Sequence, residues 1–299
     1  MSGNKRMNMM NKTYIHFVLI LCMAFFSGCV NVEEFEEPAQ KVTKIFYADM
    51  ENQPGTKTVL GEKDAEGLRT IFWVPEDSIG VAPINTSTDK FDCFVNQKTE
   101  LSNRAVFEGI TEAAQEYAAI YPYHWETSIW DNTVYLTLDP VQTYVEGTFE
   151  QGAFPMLART SDSDEDVLQF LNLCGILEIN LKGTDKVESI TFTSGNYVSG
   201  LFSVSLDYEA EPEMVPAGTN SNILTLKCTE AVQLDESAPT AFYLVLPPAE
   251  YQSFTLCIRT VEGKLMFKQS KNPLTITRSR LAAAGALEYV ESVSFDLSL

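Results

Sequence analysis

The 299-residue chain carries 21 Lys+Arg against 41 Asp+Glu, a formal net charge of −20, with 45% hydrophobic residues. That apolar content suits a packed core and speaks against a disordered chain. The acidity speaks against nucleic acid or an anionic bilayer as the binding partner, because both repel a negative surface.

Lys5, Arg6 and Lys12 precede the apolar run FVLILCMAFF at 17–26, the order of a secretory signal. A bilayer span needs about 20 apolar residues, so this run is too short to be a transmembrane anchor. Phe26-Ser27-Gly28-Cys29 follows, and small residues ahead of a cysteine resemble the lipobox at which bacteria cleave and acylate. Residues 1–28 then read as a lipoprotein signal peptide and Cys29 as the lipidated residue that holds the chain on the outer membrane. Each buried CH₂ of an acyl chain adds about 0.8 kcal/mol to such an anchor. Residues 29–40 form an acidic tether containing Glu33-Glu34-Phe35-Glu36-Glu37. That cluster resembles the surface-export signal of Bacteroidota lipoproteins, and a plain solvated tether explains it equally.

Beyond the leader, 18 basic residues face 41 acidic ones, since the leader holds three of the former and none of the latter. Residues 29–299 exceed what one hydrophobic core usually organises, which predicts two domains. Short strands are predicted at 41–48, 56–60, 70–74, 78–81, 91–95, 105–108, 116–121 and 134–138, separated by turn residues such as those at 52–55. Segments 110–114 and 279–284 are read as short helical turns. The acidic run 161–166 marks a linker between a domain at 41–160 and one at 167–286. Asp162, Asp164 and Asp166 alternate like an EF-hand opening, but Val167 and Leu173 stand where Gly and Glu are needed, so no metal site is expected. Strands follow at 170–173, 175–182, 187–193, 201–207, 223–226, 242–246, 253–260, 265–268 and 274–277. Leu177, Ile179 and Leu181 face one way, Glu178, Asn180 and Lys182 the other. Such alternation predicts antiparallel sandwiches.

Cys93, Cys174, Cys228 and Cys257 show no metal-like spacing; free thiols are expected, with three disulfide pairings formally open. His124 is the single histidine after the leader, and no catalytic motif is present, so neither an enzyme nor a cofactor is expected. Tyr123, Trp125 and Trp130 lie in one loop-like stretch, where exposed rings can stack on sugars and buried ones serve as core.

Several motifs, in consistent order from about Lys41 to Arg280, resemble the fimbrillin-like family of Bacteroidota pilus lipoproteins. They are Thr56-Lys57-Thr58-Val59-Leu60, Trp73 with Asp77-Ser78-Ile79-Gly80-Val81, Tyr117-Ala118-Ala119-Ile120-Tyr121-Pro122-Tyr123, Gln142 with Gly147-Thr148-Phe149, Phe154-Pro155-Met156-Leu157-Ala158, and 170–179. Pro75-Glu76-Asp77 departs from the family's Gly-Asp turn. The resemblance implies two tandem transthyretin-like antiparallel β-sandwich domains behind the lipoprotein signal peptide. It also implies a structural subunit of cell-surface fimbriae, whether pilin, tip or anchor, that polymerises with other fimbrial subunits and supports adhesion to a host or bacterial surface. In that family a trypsin-like protease removes the first strand, and a strand of the next subunit fills the groove. Arg69 is the candidate cut site, with Lys41, Lys44 and Lys57 competing. The segment 287–299 places Val293, Phe295, Leu297 and Leu299 on one face. It is either a donor strand or the last strand of its own domain. The alternative reading is a surface glycan-binding lipoprotein using Tyr123, Trp125 and Trp130.

Overall fold

The computed structural model describes residues 40–51, 72–160, 166–207, 211–270 and 272–291. These residues are all-β: they form twenty-two strands, numbered in chain order, and no helix.

The first sheet closes on itself in the order β1 (Lys41–Met50), β10 (Val167–Asn172), β9 (Met156–Arg159), β5 (Tyr117–Tyr121), β2 (Ser78–Pro83), β3 (Asp92–Asn96) and β4 (Arg104–Glu112). Closure removes the exposed edges that an open sheet would present. All neighbours are antiparallel except β1 and β10, which run parallel. Period-2 alternation sends Phe46 and Ala48 of β1 inward and leaves Ile45 and Tyr47 outside. Trp73 sits at the centre of the ring, edge-on to Phe107, Tyr121 and Phe170 with centroids 5.1, 5.3 and 5.3 Å away. That is the geometry aromatic quadrupoles favour.

A second sheet, β14 (Val215–Ser221), β13 (Ser199–Ser205), β7 (Thr133–Leu138) and β6 (Ser128–Trp130), packs beside the ring. Asp131 and Asn132 close the β6–β7 hairpin with φ of 47° and 53°, the left-handed pair that a two-residue type I′ turn requires.

The remaining strands form a sandwich. One side orders β16 (Thr240–Leu246), β11 (Gly175–Lys182) and β21 (Leu281–Ala283), with β22 (Leu287–Glu288) also on β11. The other side orders β19 (Leu265–Ser270), β18 (Phe254–Thr260), β12 (Lys186–Ser194), β15 (Ile223–Gln233) and β8 (Val141–Thr143). A ribbon of β17 (Ala249–Tyr251) and β20 (Leu274–Ile276) closes one end of the core. Leu177, Ile179 and Leu181 meet Ile190, Phe192 and Leu256 in that core, as the alternation in β11 predicts.

A third core joins these layers. Ile120 and Leu157 from the ring, Leu136 and Phe202 from the second sheet, and Ile176 and Tyr243 from the sandwich all belong to it. Strand pairing also crosses the acidic run in both directions. β10 lies after it yet closes the ring, while β7 and β8 lie before it and pair with β13 and β15. The expected segments 41–160 and 167–286 therefore share sheets as well as a core.

Two local expectations are corrected. β4 extends through Glu112, opposite Lys41, where a helical turn at 110–114 was expected. β21 lies parallel to β11 where a turn at 279–284 was expected. A sheet edge gives such short segments main-chain partners immediately, whereas a single helical turn pays the full nucleation cost for one hydrogen bond.

Candidate functional site

β1 fills a slot in the ring. It pairs with β4 from Lys41↔Glu112 to Asp49↔Arg104 and with β10 from Tyr47↔Val167 to Met50↔Phe170. Phe46 anchors it, 5.6 Å from the Phe94 ring and 5.3 Å from Tyr117. Burying one such side chain contributes about 1.5–3 kcal/mol. Lys44 lays its ammonium 5.4 Å from the Tyr117 ring and 3.4 Å from Asp166.

Directly after β1, Glu51 enters a buried cradle. Its carboxylate accepts from Arg278 Nη1 at 2.8 and 2.7 Å, from Asn172 Nδ2 at 2.9 Å and from the Asn172 N–H at 3.2 Å. The Ser279 hydroxyl donates to the same carboxylate. Arg278 also donates to Asn172 O at 2.9 Å, and its outer edge meets Glu211 at 3.3 Å. The Arg278 and Glu51 side chains are only 7% and 10% exposed, while that of Glu211 is 64% exposed. Burial opposes the guanidinium charge, but hydrogen bonds and attraction from Glu51 and Glu211 outweigh it and hold the pKa above its ordinary value.

The local sequence explains why the cradle forms. A Cβ on Gly175 would lie 2.4 Å from Thr277 O, so only glycine lets this segment lie against the start of β11. Ile176 N–H then donates to Arg280 O, and Ser279 N–H to Cys174 O, each at 2.9 Å. Asn172 and Arg278 are thereby brought together at the end of the slot. Sequence inspection missed this pair: Glu51 and Arg278 stand 227 positions apart and neither belongs to a motif.

Cys29, Arg69, Val293, Phe295, Leu297 and Leu299 lie outside the described residues. Residues 287–288, at the start of the candidate donor segment, pair with β11 of their own sheet. Beside them an apolar groove of about 510 Å³ opens between 284–287 and the pair of 268–270 and Asn272, lined also by Leu177, Ile179 and Leu256. The aromatic stretch divides. Tyr123 is partly buried against the third core, whereas Trp125 and Trp130 are each 69% exposed. His124 stacks on Trp125 at 6.1 Å and also lines a cleft of about 360 Å³ with Glu126, Asp139 and Gln151. Among the described residues no three His, Cys, Asp or Glu side chains are grouped to hold a metal ion. Val167, the sixth position of the EF-hand-like run, opens β10. The four described cysteines are free thiols.

No protein-family model and no curated protein matches the chain. Solved structures do. A candidate cell adhesion protein from Bacteroides ovatus aligns over 84% of this chain and 93% of its own, at 10% identity and a TM-score of 0.52. The C-terminally truncated tip fimbrial protein Mfa3 from Porphyromonas gingivalis aligns over 82% and 94%, at 10% identity and a TM-score of 0.31. A fimbrial assembly protein from Parabacteroides distasonis aligns over 77% and 99%, at 8% identity and a TM-score of 0.28. The first of these reaches the level of a shared fold, so the chain has the all-β architecture of that Bacteroides protein.

Proposed function

We propose that this chain is a structural subunit of cell-surface fimbriae, of the fimbrillin-like family, assembled by β-strand exchange and serving adhesion. The observation that carries the reading is the position of β1. It completes a closed ring, and in the sequence it is followed, before Phe72, by a segment containing Arg69. A cut after Arg69 would turn β1 into a separate peptide held by non-covalent contacts alone: its pairing with β4 and β10, Phe46 and Ala48 in the core, the Lys44 contacts and the Glu51 cradle. Its departure would expose the edges of β4 and β10 beside an apolar trough, and an alternating strand satisfies both at once. The segment 287–299, with Val293, Phe295, Leu297 and Leu299 on one face, is the donor in this scheme. Cys29 carries the lipid that delivers the precursor to the outer membrane. The shared fold with a candidate cell adhesion protein and the fimbrial names of the other aligned structures are consistent with this role.

The test compares the size distribution of surface-extracted material from cells making the whole chain and cells making one that stops after residue 286. A heat-labile ladder that collapses to monomer without the segment supports exchange. A monomer in both removes it.

One observation favours a second reading. Trp125 and Trp130 are largely exposed, Trp125 with His124 stacked beside it, and Trp125 lies next to a cleft bearing His124, Glu126 and Asp139. A surface lipoprotein that stacks a glycan on these rings would lose its binding in Trp125→Ala or Trp130→Ala. Unchanged sugar affinity in both variants discards it.

A further inference from the structure

We propose that the Arg278 cradle is a carboxylate receptor built into the strand slot, and that it restricts the strands the slot accepts to those carrying an acidic group just beyond their last inward side chain. The proposal rests on the strand-exchange reading above and specifies the partner. Glu51 lies on the β1 side of Arg69, so it departs with β1 when the chain is cut there. Every donor that holds it stays behind: Arg278 Nη1, both nitrogens of Asn172 and the Ser279 hydroxyl. Those groups are fixed by other parts of the fold. Asn172 ends β10, and the 278–280 segment is pinned to the start of β11. The slot therefore keeps its arrangement of donors after β1 has gone. Glu211 remains as a partner for Arg278, but it reaches only the outer edge of the guanidinium and its side chain is largely solvated. A buried cation facing an empty or neutral position is heavily penalised, whereas a carboxylate there satisfies four donors together.

The occupant that fits is thus a β-strand of a different subunit with a large apolar side chain at the place of Phe46 and a carboxylate five residues later, at the place of Glu51; 287–299 of this chain has no carboxylate at that spacing, so it donates to another subunit's slot and not to a copy of this one. Apolar alternation alone would hold a strand by its trough contacts and leave the inner edge of Arg278 facing no carboxylate, with only Asn172 O and the solvated Glu211 as partners. The cradle adds a polar requirement that separates a cognate strand from any other alternating sequence on the cell surface.

The experiment uses the whole chain with a specific protease site placed between residues 52 and 71. After cleavage, the protein is offered fluorescent peptides of residues 40–51 carrying either Glu51 or Glu51→Gln, and affinity is read by anisotropy. The Glu peptide should bind about ten- to a hundredfold more tightly, the range for hydrogen bonds to a charged group. In an Arg278→Met acceptor the two peptides should bind alike. Equal affinity of both peptides for the unchanged acceptor, or a Glu preference that persists in Arg278→Met, overturns this proposal and leaves strand exchange standing. If neither peptide enters the slot, both readings are overturned.

Discussion

Gln142 replaces a missing strand at the edge of β16: its Nε2 donates to Val245 O at 2.9 Å, and Val245 N–H donates to its Oε1 at 2.9 Å. One side-chain amide thus makes both main-chain hydrogen bonds of a residue 103 positions away. β8, which carries Gln142, also pairs with β15, so this residue bridges the two sheets of the sandwich. Gln142→Leu would leave a buried N–H and C=O of Val245 unsatisfied, at about 1–3 kcal/mol each. The expected result is a clear fall in the denaturant midpoint, and Gln142→Glu should retain part of the stability through its remaining acceptor. A midpoint unchanged in Gln142→Leu would contradict this role.

Asp77 supplies a pH dependence. Its buried carboxylate accepts from Val74 N–H at 2.7 Å, the Tyr121 hydroxyl at 2.8 Å and Gln151 Nε2 at 3.0 Å. Burial raises its pKa, and these hydrogen bonds offset only part of the rise. A carboxyl whose pKa is higher folded than unfolded binds its proton more tightly in the native state. Its contribution is therefore complete below the unfolded value, near 3.8, and is lost as pH rises through the folded value. Relative to Asp77→Asn, the wild-type chain should lose stability across that interval. Parallel stability curves for the two proteins from acid to neutral pH would contradict the assignment.

The four described thiols should differ in reactivity. Cys93 is exposed on β3, whereas Cys174 is buried beside Met214, and burial pushes its pKa strongly upward. The Cys228 thiol is pushed up to about 11. Thiolate fraction and access set the rate of alkylation. Mass spectrometry after brief maleimide treatment of the native protein should show Cys93 modified first, and Cys174 modified only after unfolding. Early labelling of Cys174 would mean that the third core opens readily.

The strands with strict alternation were legible from sequence, and their period explains why. β11 occupies the predicted residues 175–182, and β1 and β12 differ from expectation only at their ends. β14, with its Pro, Gly and polar residues, is an exposed edge held by main-chain pairing to β13, so it has no apolar pattern to read. β21 departs from expectation because an alanine run has high helix propensity, and its decisive partner in β11 lies 105 residues earlier, Ile176 opposite Leu281. The parallel β1–β10 pair and the Glu51 cradle are likewise products of long-range closure. Local spacing carries no trace of either. The exposed pair Trp125 and Trp130 was identified by type, but only the fold separates them from the half-buried Tyr123.

The most direct measurement is the intact mass and N-terminal sequence of the protein taken from the surface of cells that make it. The account predicts chains that begin at Thr70, lacking β1 and Glu51, in material that dissociates on heating. A full-length chain acylated at Cys29, with β1 still attached in every polymerised molecule, would contradict it.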